Sequence, residues 1–125
     1  MAGENILIVD DNQTNLTLLE YLLRANGYTV KTALDEVQMR AALATFRPRM
    51  ILMDVQLPGK DGLELTRELK AAPETKDILI IAVTASAMRG DEERTRAAGC
   101  DGYISKPIDT RALPWMLARM LSGGA

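Results

Sequence analysis

The sequence predicts an α/β fold in which a parallel sheet carries helices on both faces. Three observations carry that prediction. Ile6–Val9, Met50–Met53 and Ile78–Val83 are apolar runs without alternation, the pattern of strands buried on both faces. Between them, leucines recur at three- and four-residue spacing, the period of amphipathic helices. Strand and helix patterns alternate five times with no repeat, low-complexity tract or internal linker. Such alternation builds a parallel sheet with right-handed crossovers.

Each element has its own local cause. Ile6-Leu7-Ile8-Val9 ends in Asp10 and Asp11, and Asn12 or Asp11 is placed to cap a helix bearing Leu16, Leu19 and Leu23 on one face. Asn26-Gly27 ends that helix, because glycine suits the left-handed position just past a helix. Tyr28 to Ala33 is a more polar strand, expected near an edge. Asp35 caps a second helix through Met39, Ala42, Leu43 and Phe46, and Pro48 is expected to stop it. Met50 to Asp54 is the central strand, closed by a Pro-Gly turn. Asp61-Gly62 opens a third helix through Leu65, Leu69 and Ala72, with Glu64, Arg67 and Glu68 on a solvated face and Pro73 closing it. Ile78 to Val83 is the fourth strand, running into Thr84-Ala85-Ser86. A short charged helix spans Gly90 to Ala98, Gly102-Tyr103-Ile104 is a brief fifth strand, and Asp109 is expected to start a last helix carrying Leu113, Met116, Leu117 and Met120. Pro114 is the misfit, since it must kink that helix or shift its start.

The chain has 125 residues, 47% hydrophobic and 26% charged, with a net charge of -2. That fits one domain over residues 1–125, with an ordered core at about 4–121. The acidic balance argues against a nucleic-acid surface. The first apolar run is too short for a signal peptide or a membrane span, so a cytoplasmic location is expected. A lone cysteine, Cys100, excludes an internal disulfide framework. The chain has no histidine, which rules out a His-based triad, a His metal site and a phosphohistidine on this chain.

In a parallel sheet all strand carboxyl ends share one rim, where ligands of open α/β sheets bind. Asp10 and Asp11 leave the first strand, Asp54 the third, Thr84 the fourth and Lys106 the fifth. A single strand-end Asp can as readily cap a loop. Three carboxylates, a hydroxyl and an ammonium at four buried-strand ends are a different matter. The carboxylates would repel unless a cation joined them. Oxygen-only ligands favour a hard ion that keeps much of its hydration, hence Mg²⁺, with Mn²⁺ able to substitute. Asp54 is then a nucleophile of the aspartyl-phosphate kind, with Lys106 and the Thr84 hydroxyl facing the phosphoryl oxygens.

These residues carry a resemblance. Asp10-Asp11, Asp54 followed by Leu57-Pro58-Gly59 and Asp61-Gly62, Thr84-Ala85, and Lys106-Pro107 together resemble the response-regulator receiver domain of two-component signalling. The stretch from Met88 to Pro107 is similar to single-domain regulators of the DivK type and to receivers fused to hybrid kinases. The resemblance implies a flavodoxin-like receiver fold with strand order 2-1-3-4-5. It implies that Asp54 accepts a phosphoryl group from a phosphohistidine of a sensor histidine kinase or histidine phosphotransfer protein. Asp11 and Asp54 would bind Mg²⁺ through side chains, Gln56 through its carbonyl and Asp10 through water. Backbone N–H groups of Gln56 and Ala85 would hold phosphoryl oxygens, and Lys106-Pro107 would be cis. Thr84 and Tyr103 would form a switch pair that remodels the face of the fourth helix, fifth strand and fifth helix for a downstream protein.

The remaining features have plainer readings. Cys100 and the methionines Met50, Met53, Met116 and Met120 read as packing residues, and Trp115 as half-buried on the last helix. Gln56 and Ser86 flank the expected path of a hydrolytic water. The leading expectation is a stand-alone receiver, monomeric or weakly dimeric, that assists its own phosphorylation without being an enzyme. A receiver excised from a larger kinase or regulator is a close variant. A metal-dependent phosphohydrolase is disfavoured, because its carboxylates stand two apart on the first strand whereas Gln13 follows the adjacent pair here.

Overall fold

The structure is a computed structural model that describes residues 4–57, 59, 61–84 and 91–122, without the side chains of Asp91 and Glu92. Five strands, β1 (Asn5–Val9), β2 (Thr29–Ala33), β3 (Met50–Asp54), β4 (Leu79–Thr84) and β5 (Gly102–Ser105), form one sheet in the order β2-β1-β3-β4-β5. Every pairing is parallel. The helices are α1 (Gln13–Ala25), α2 (Glu36–Leu43), α3 (Gly62–Ala71), α4 (Asp91–Ala98) and α5 (Leu113–Leu121). Tyr28 precedes β2 rather than opening it, and β2 is the edge strand that its polar residues predict.

The unbroken apolar runs have the predicted cause, because each strand feeds two cores. Ile6 and Ile8 pack with Leu52, Ile81 and Ile104 beneath Leu16, Leu19 and Leu23 of α1 and Leu113, Leu117 and Leu121 of α5. Leu7 and Val9 turn the other way, with Ile51, Met53 and Ile80, against Met39 of α2 and Leu65 and Leu69 of α3. Each fully buried aliphatic side chain contributes about 1.5–3 kcal/mol relative to exposure. This two-sided burial fixes the strand ends in space.

Most helix boundaries follow their caps. The Asn12 side chain accepts the Asn15 N–H (3.0 Å), Asp35 that of Gln38 (2.9 Å) and Asp61 that of Leu63 (2.8 Å). Gly27 takes φ 93° just past α1, a conformation that few other residues adopt without strain. Ala72 is extended ahead of Pro73, as a residue before proline tends to be.

Four expectations need correction. The second helix stops at Leu43 rather than at Pro48; Thr45 and Phe46 donate to the Ala42 carbonyl in a closing turn that buries the Phe46 ring. Phe46 thus keeps the helical spacing without belonging to the helix. The last helix begins at Leu113, not Asp109. Pro114 accordingly lies in the first turn, where its missing N–H has no helical partner to lose. The Asp109 carboxylate instead accepts the N–H groups of Arg111 (3.0 Å) and Ala112 (3.3 Å) in the preceding turn. Trp115 is 61% exposed rather than half-buried, with the Arg119 guanidinium 4.9 Å from its ring centre. Glu68 does more than face solvent, since it meets Arg40 of α2 at 2.6 Å. Such an exposed pair contributes about 0–1 kcal/mol.

Met50 and Met53 are buried, and Met116 and Met120 pack partly against the core, as expected. Cys100 is half-buried with its Sγ 4.0 Å from the Thr66 hydroxyl, and burial pushes the thiol pKa up. A thiol held neutral is a poor nucleophile. Native protein at pH 7 should therefore react with an aromatic disulfide reagent at least about tenfold more slowly than urea-unfolded protein. Equal rates would contradict the packing role. No helix among the described residues is long and apolar enough to cross a membrane.

Candidate functional site

The sheet order brings β1 beside β3, and the residues at their carboxyl ends meet. Asp10 follows β1 directly, its N–H donating to the Ala33 carbonyl of β2 (3.0 Å). Asp54 is the last residue of β3. Both are 3% exposed, while Asp11 is open to solvent. One oxygen from each of the three carboxylates lies within 4.8 Å of the other two.

Hydrogen bonds orient the two buried carboxylates. Asp54 Oδ1 accepts the N–H of Gln56 (3.0 Å), and Asp10 Oδ1 accepts that of Asn12 (2.9 Å). Lys106 follows β5 and reaches across β4: its N–H donates to the Thr84 carbonyl (2.7 Å), and its Nζ lies 3.4 Å from both Asp10 Oδ2 and Asp54 Oδ2. The Lys106–Pro107 peptide is cis. Thr84, buried, ends β4 opposite Ser105, and Tyr103 stands half-buried two residues earlier on β5.

Three carboxylates against one ammonium leave an excess of negative charge in a largely dry rim. Burial pushes the Asp54 carboxyl from 3.8 up to about 6. The charge of Asp10 adds to that rise, while the Gln56 N–H and the Lys106 ammonium oppose it. A further cation would relieve the strain, and this donor set suits a hard one, because it offers oxygens and no imidazole or thiolate. The residues present fit Mg²⁺.

Ala85 and Ser86 lie outside the described residues, as do Pro58 and the stretch from Met88 to Gly90. Gln56 is exposed and pairs with Asp61 across the β3–α3 loop. The Gln13 amide donates to the Thr17 hydroxyl (3.4 Å).

Two supporting residues escaped the sequence reading. Gly62, noted there as a helix start and as part of the receiver-like pattern but with no structural role, donates its N–H to the Val55 carbonyl (2.8 Å) and lies against the backbone of Asp54. A methyl group added there would overlap the Asp54 carbonyl oxygen. Asn15, three residues into α1, points its amide at Asp10 Oδ2 (3.5 Å). Nothing in its spacing singles it out in the sequence.

Beside Lys106 opens a cleft of about 460 Å³ between α1 and the loop after β5, walled by Leu18, Leu19, Pro107 and Ile108. A larger hollow of about 800 Å³ lies near Arg49, Asp77 and Met120, at the amino-terminal end of the sheet and remote from the carboxylates.

A five-stranded parallel sheet in this order, with acidic side chains clustered at the end of its central strand, defines a receiver module. The chain belongs to the response regulator receiver domain family, which matches residues 6–118. Among curated proteins it is 46% identical over 105 residues to the polar-differentiation response regulator DivK of Brucella anthropi, covering 84% of this chain and 85% of that protein. The DivK of Brucella ovis is 45% identical over the same length. Among solved structures, the receiver domain of sensor histidine kinase PA1611 from Pseudomonas aeruginosa PAO1 superposes with a TM-score of 0.85 at 39% identity, covering 97% of this chain and 99% of that one. That domain is described with a magnesium ion coordinated in its active-site cleft. A CheY-like receiver from Methanospirillum hungatei JF-1 gives a TM-score of 0.88 at 28% identity, covering 98% of this chain and 96% of that one.

Proposed function

We propose that this chain is a phosphorylation-controlled binding module, with Asp54 as phosphoryl acceptor and a phosphohistidine on a sensor histidine kinase or histidine phosphotransfer protein as donor. One observation carries the reading: Asp10, Asp11 and Asp54 gather within 4.8 Å of one another, with the Lys106 ammonium 3.4 Å from the two buried ones. An Asp54 carboxylate oxygen attacks phosphorus, the phosphorus–nitrogen bond breaks, and the imidazole leaves with the electron pair. Lys106 holds positive charge beside the phosphoryl oxygens, the Thr84 hydroxyl donates to them, and the N–H groups of Gln56 and Ala85 complete the cradle. Asp10, Asp11, Asp54 and the Gln56 carbonyl would hold Mg²⁺ (or Mn²⁺), whose charge offsets that of the incoming group. Positioning and charge stabilisation suffice for such a transfer. The module is modified once per signal and acts through binding, not through turnover.

The cleft beside Lys106, between α1 and the loop after β5, is where the donor protein would dock. Once phosphorylated, the module shifts toward an active state that only the phosphoryl contacts stabilise. Thr84 moves toward the phosphoryl group, Tyr103 turns inward, and the face of α4, β5 and α5 is reshaped for a downstream protein target. The exposed Trp115 stands on α5, where such a target would meet it. Residues 1–125 act as one receiver unit in this reading.

The test is transfer of labelled phosphate from a phosphohistidine protein. Label should appear only with Mg²⁺ and be discharged by hydroxylamine, as an acyl phosphate is. Labelling that survives chelation or resists hydroxylamine would overturn the reading. Magnesium should also raise the melting temperature, because it binds the native cluster and not the unfolded chain. At a concentration about 100 times its dissociation constant the gain is about 2.7 kcal/mol. A melting temperature indifferent to Mg²⁺ at low salt would count against the metal site.

A further inference from the structure

We infer that Asn15 is a positioning residue that locks the Asp10 carboxylate in its metal-facing orientation and so sets the affinity of the site for a divalent cation. The inference rests on the metal reading above. Its basis is how the first turn of α1 is tied. Asn12 caps the helix by accepting the Asn15 N–H (3.0 Å). In a reciprocal cap, the side chain three residues on returns to the N–H of the capping residue. Here that N–H is already taken by Asp10 Oδ1 (2.9 Å), and the Asn15 amide donates instead to Asp10 Oδ2 (3.5 Å). Both oxygens of Asp10 are therefore tied to one helical turn.

The double tie matters because Asp10 works against repulsion. Its neighbours Asp11 and Asp54 share its sign, and Oδ2 also faces the Lys106 ammonium at 3.4 Å. Without the Asn15 amide, the Oδ2 that already meets Lys106 can swing further toward the ammonium and away from a cation. The amide of Asn15 restrains that turn without adding charge. Outer partners of this kind commonly change metal affinity by 10-fold or more when removed. Asn15 also borders the cleft beside Lys106 together with Leu18, so the tie lies where a partner's approach can be felt.

The experiment is calorimetric titration of wild type, Asn15→Ala and Leu18→Ala with magnesium chloride, alongside metal-free melting. Asn15→Ala should raise the Mg²⁺ dissociation constant about tenfold. Its metal-free melting temperature should hold or rise, since alanine favours helix. Leu18→Ala, on the same helix without a bond to Asp10, should bind Mg²⁺ as wild type does. In phosphohistidine transfer, Asn15→Ala should need about tenfold more Mg²⁺ for half-maximal labelling. Unchanged affinity in Asn15→Ala would overturn this inference alone, as would equal weakening in both variants, which would point to a general effect on the helix. Absence of Mg²⁺ binding by wild type would overturn the metal reading and this inference with it.

Discussion

Asp54→Asn should take up no phosphoryl group from a phosphohistidine donor, and at pH 7 without metal it should melt higher than wild type. The first effect follows from chemistry: a carboxamide fills the same space but lacks the anionic oxygen that attacks phosphorus. The second follows from burial. The folded state holds the Asp54 carboxyl at about 6 against an ordinary 3.8, chiefly because the ion is desolvated. A raised folded value means that the native state binds this proton more tightly than the unfolded chain does. Its stabilising contribution is therefore full below about pH 4 and lost as pH climbs to about 6. A gap of about two pKa units corresponds to roughly 3 kcal/mol at most. The amide can still accept the Gln56 N–H while carrying no charge. The stability difference between variant and wild type should accordingly grow from near zero at pH 4 to about 2 kcal/mol at pH 7, and shrink when Mg²⁺ is added. Calorimetric melting across that range, run beside the labelling assay, checks both parts. Labelling of the variant at a tenth of the wild-type level or more would move the acceptor elsewhere. A pH-independent difference would leave the raised carboxyl without consequence.

Gly62→Ala should be the most damaging small substitution outside the carboxylates. The added methyl would overlap the Asp54 carbonyl oxygen and press on Val55, and these are backbone atoms that cannot rotate aside. Overpacking against a rigid neighbour costs about 1–3 kcal/mol and sometimes more; the upper end applies here, a fall of roughly 10 °C in melting temperature. Relief requires α3 to move away from the end of β3, which drags Asp54 with it. Mg²⁺ binding should therefore weaken along with stability. A variant that melts within about 2 °C of wild type would show that the loop gives way freely, contrary to its close packing.

Much of this was legible in the chain because the governing patterns are local or strictly periodic. Ile6–Val9 and Met50–Met53 announce two-sided burial, and the polar residues just past them then fall on one rim by topology alone. The caps at Asn12, Asp35 and Asp61 are read from residue type and position. The misreadings arose where tertiary demands override local ones. Phe46 keeps helical spacing while lying in a turn, and Asp109 spends its carboxylate one turn before the helix it was expected to begin. Trp115 is exposed because Leu113, Leu117 and Leu121 claim the buried stripe of α5. The packing role of Gly62 and the whole role of Asn15 went unread for another reason: they lie in contacts with the backbone of Asp54 and the carboxylate of Asp10, which no spacing rule encodes.

The acidic side chains come from residues 10, 11 and 54 and the ammonium from residue 106, so the site draws on both halves of the polypeptide. A fragment ending at Ser105 would keep all three carboxylates and the edge strand but lose the ammonium that meets two of them. A cut before residue 106 thus parts the negative groups from the positive one that balances them, and the piece left behind should be held apart by its own charge.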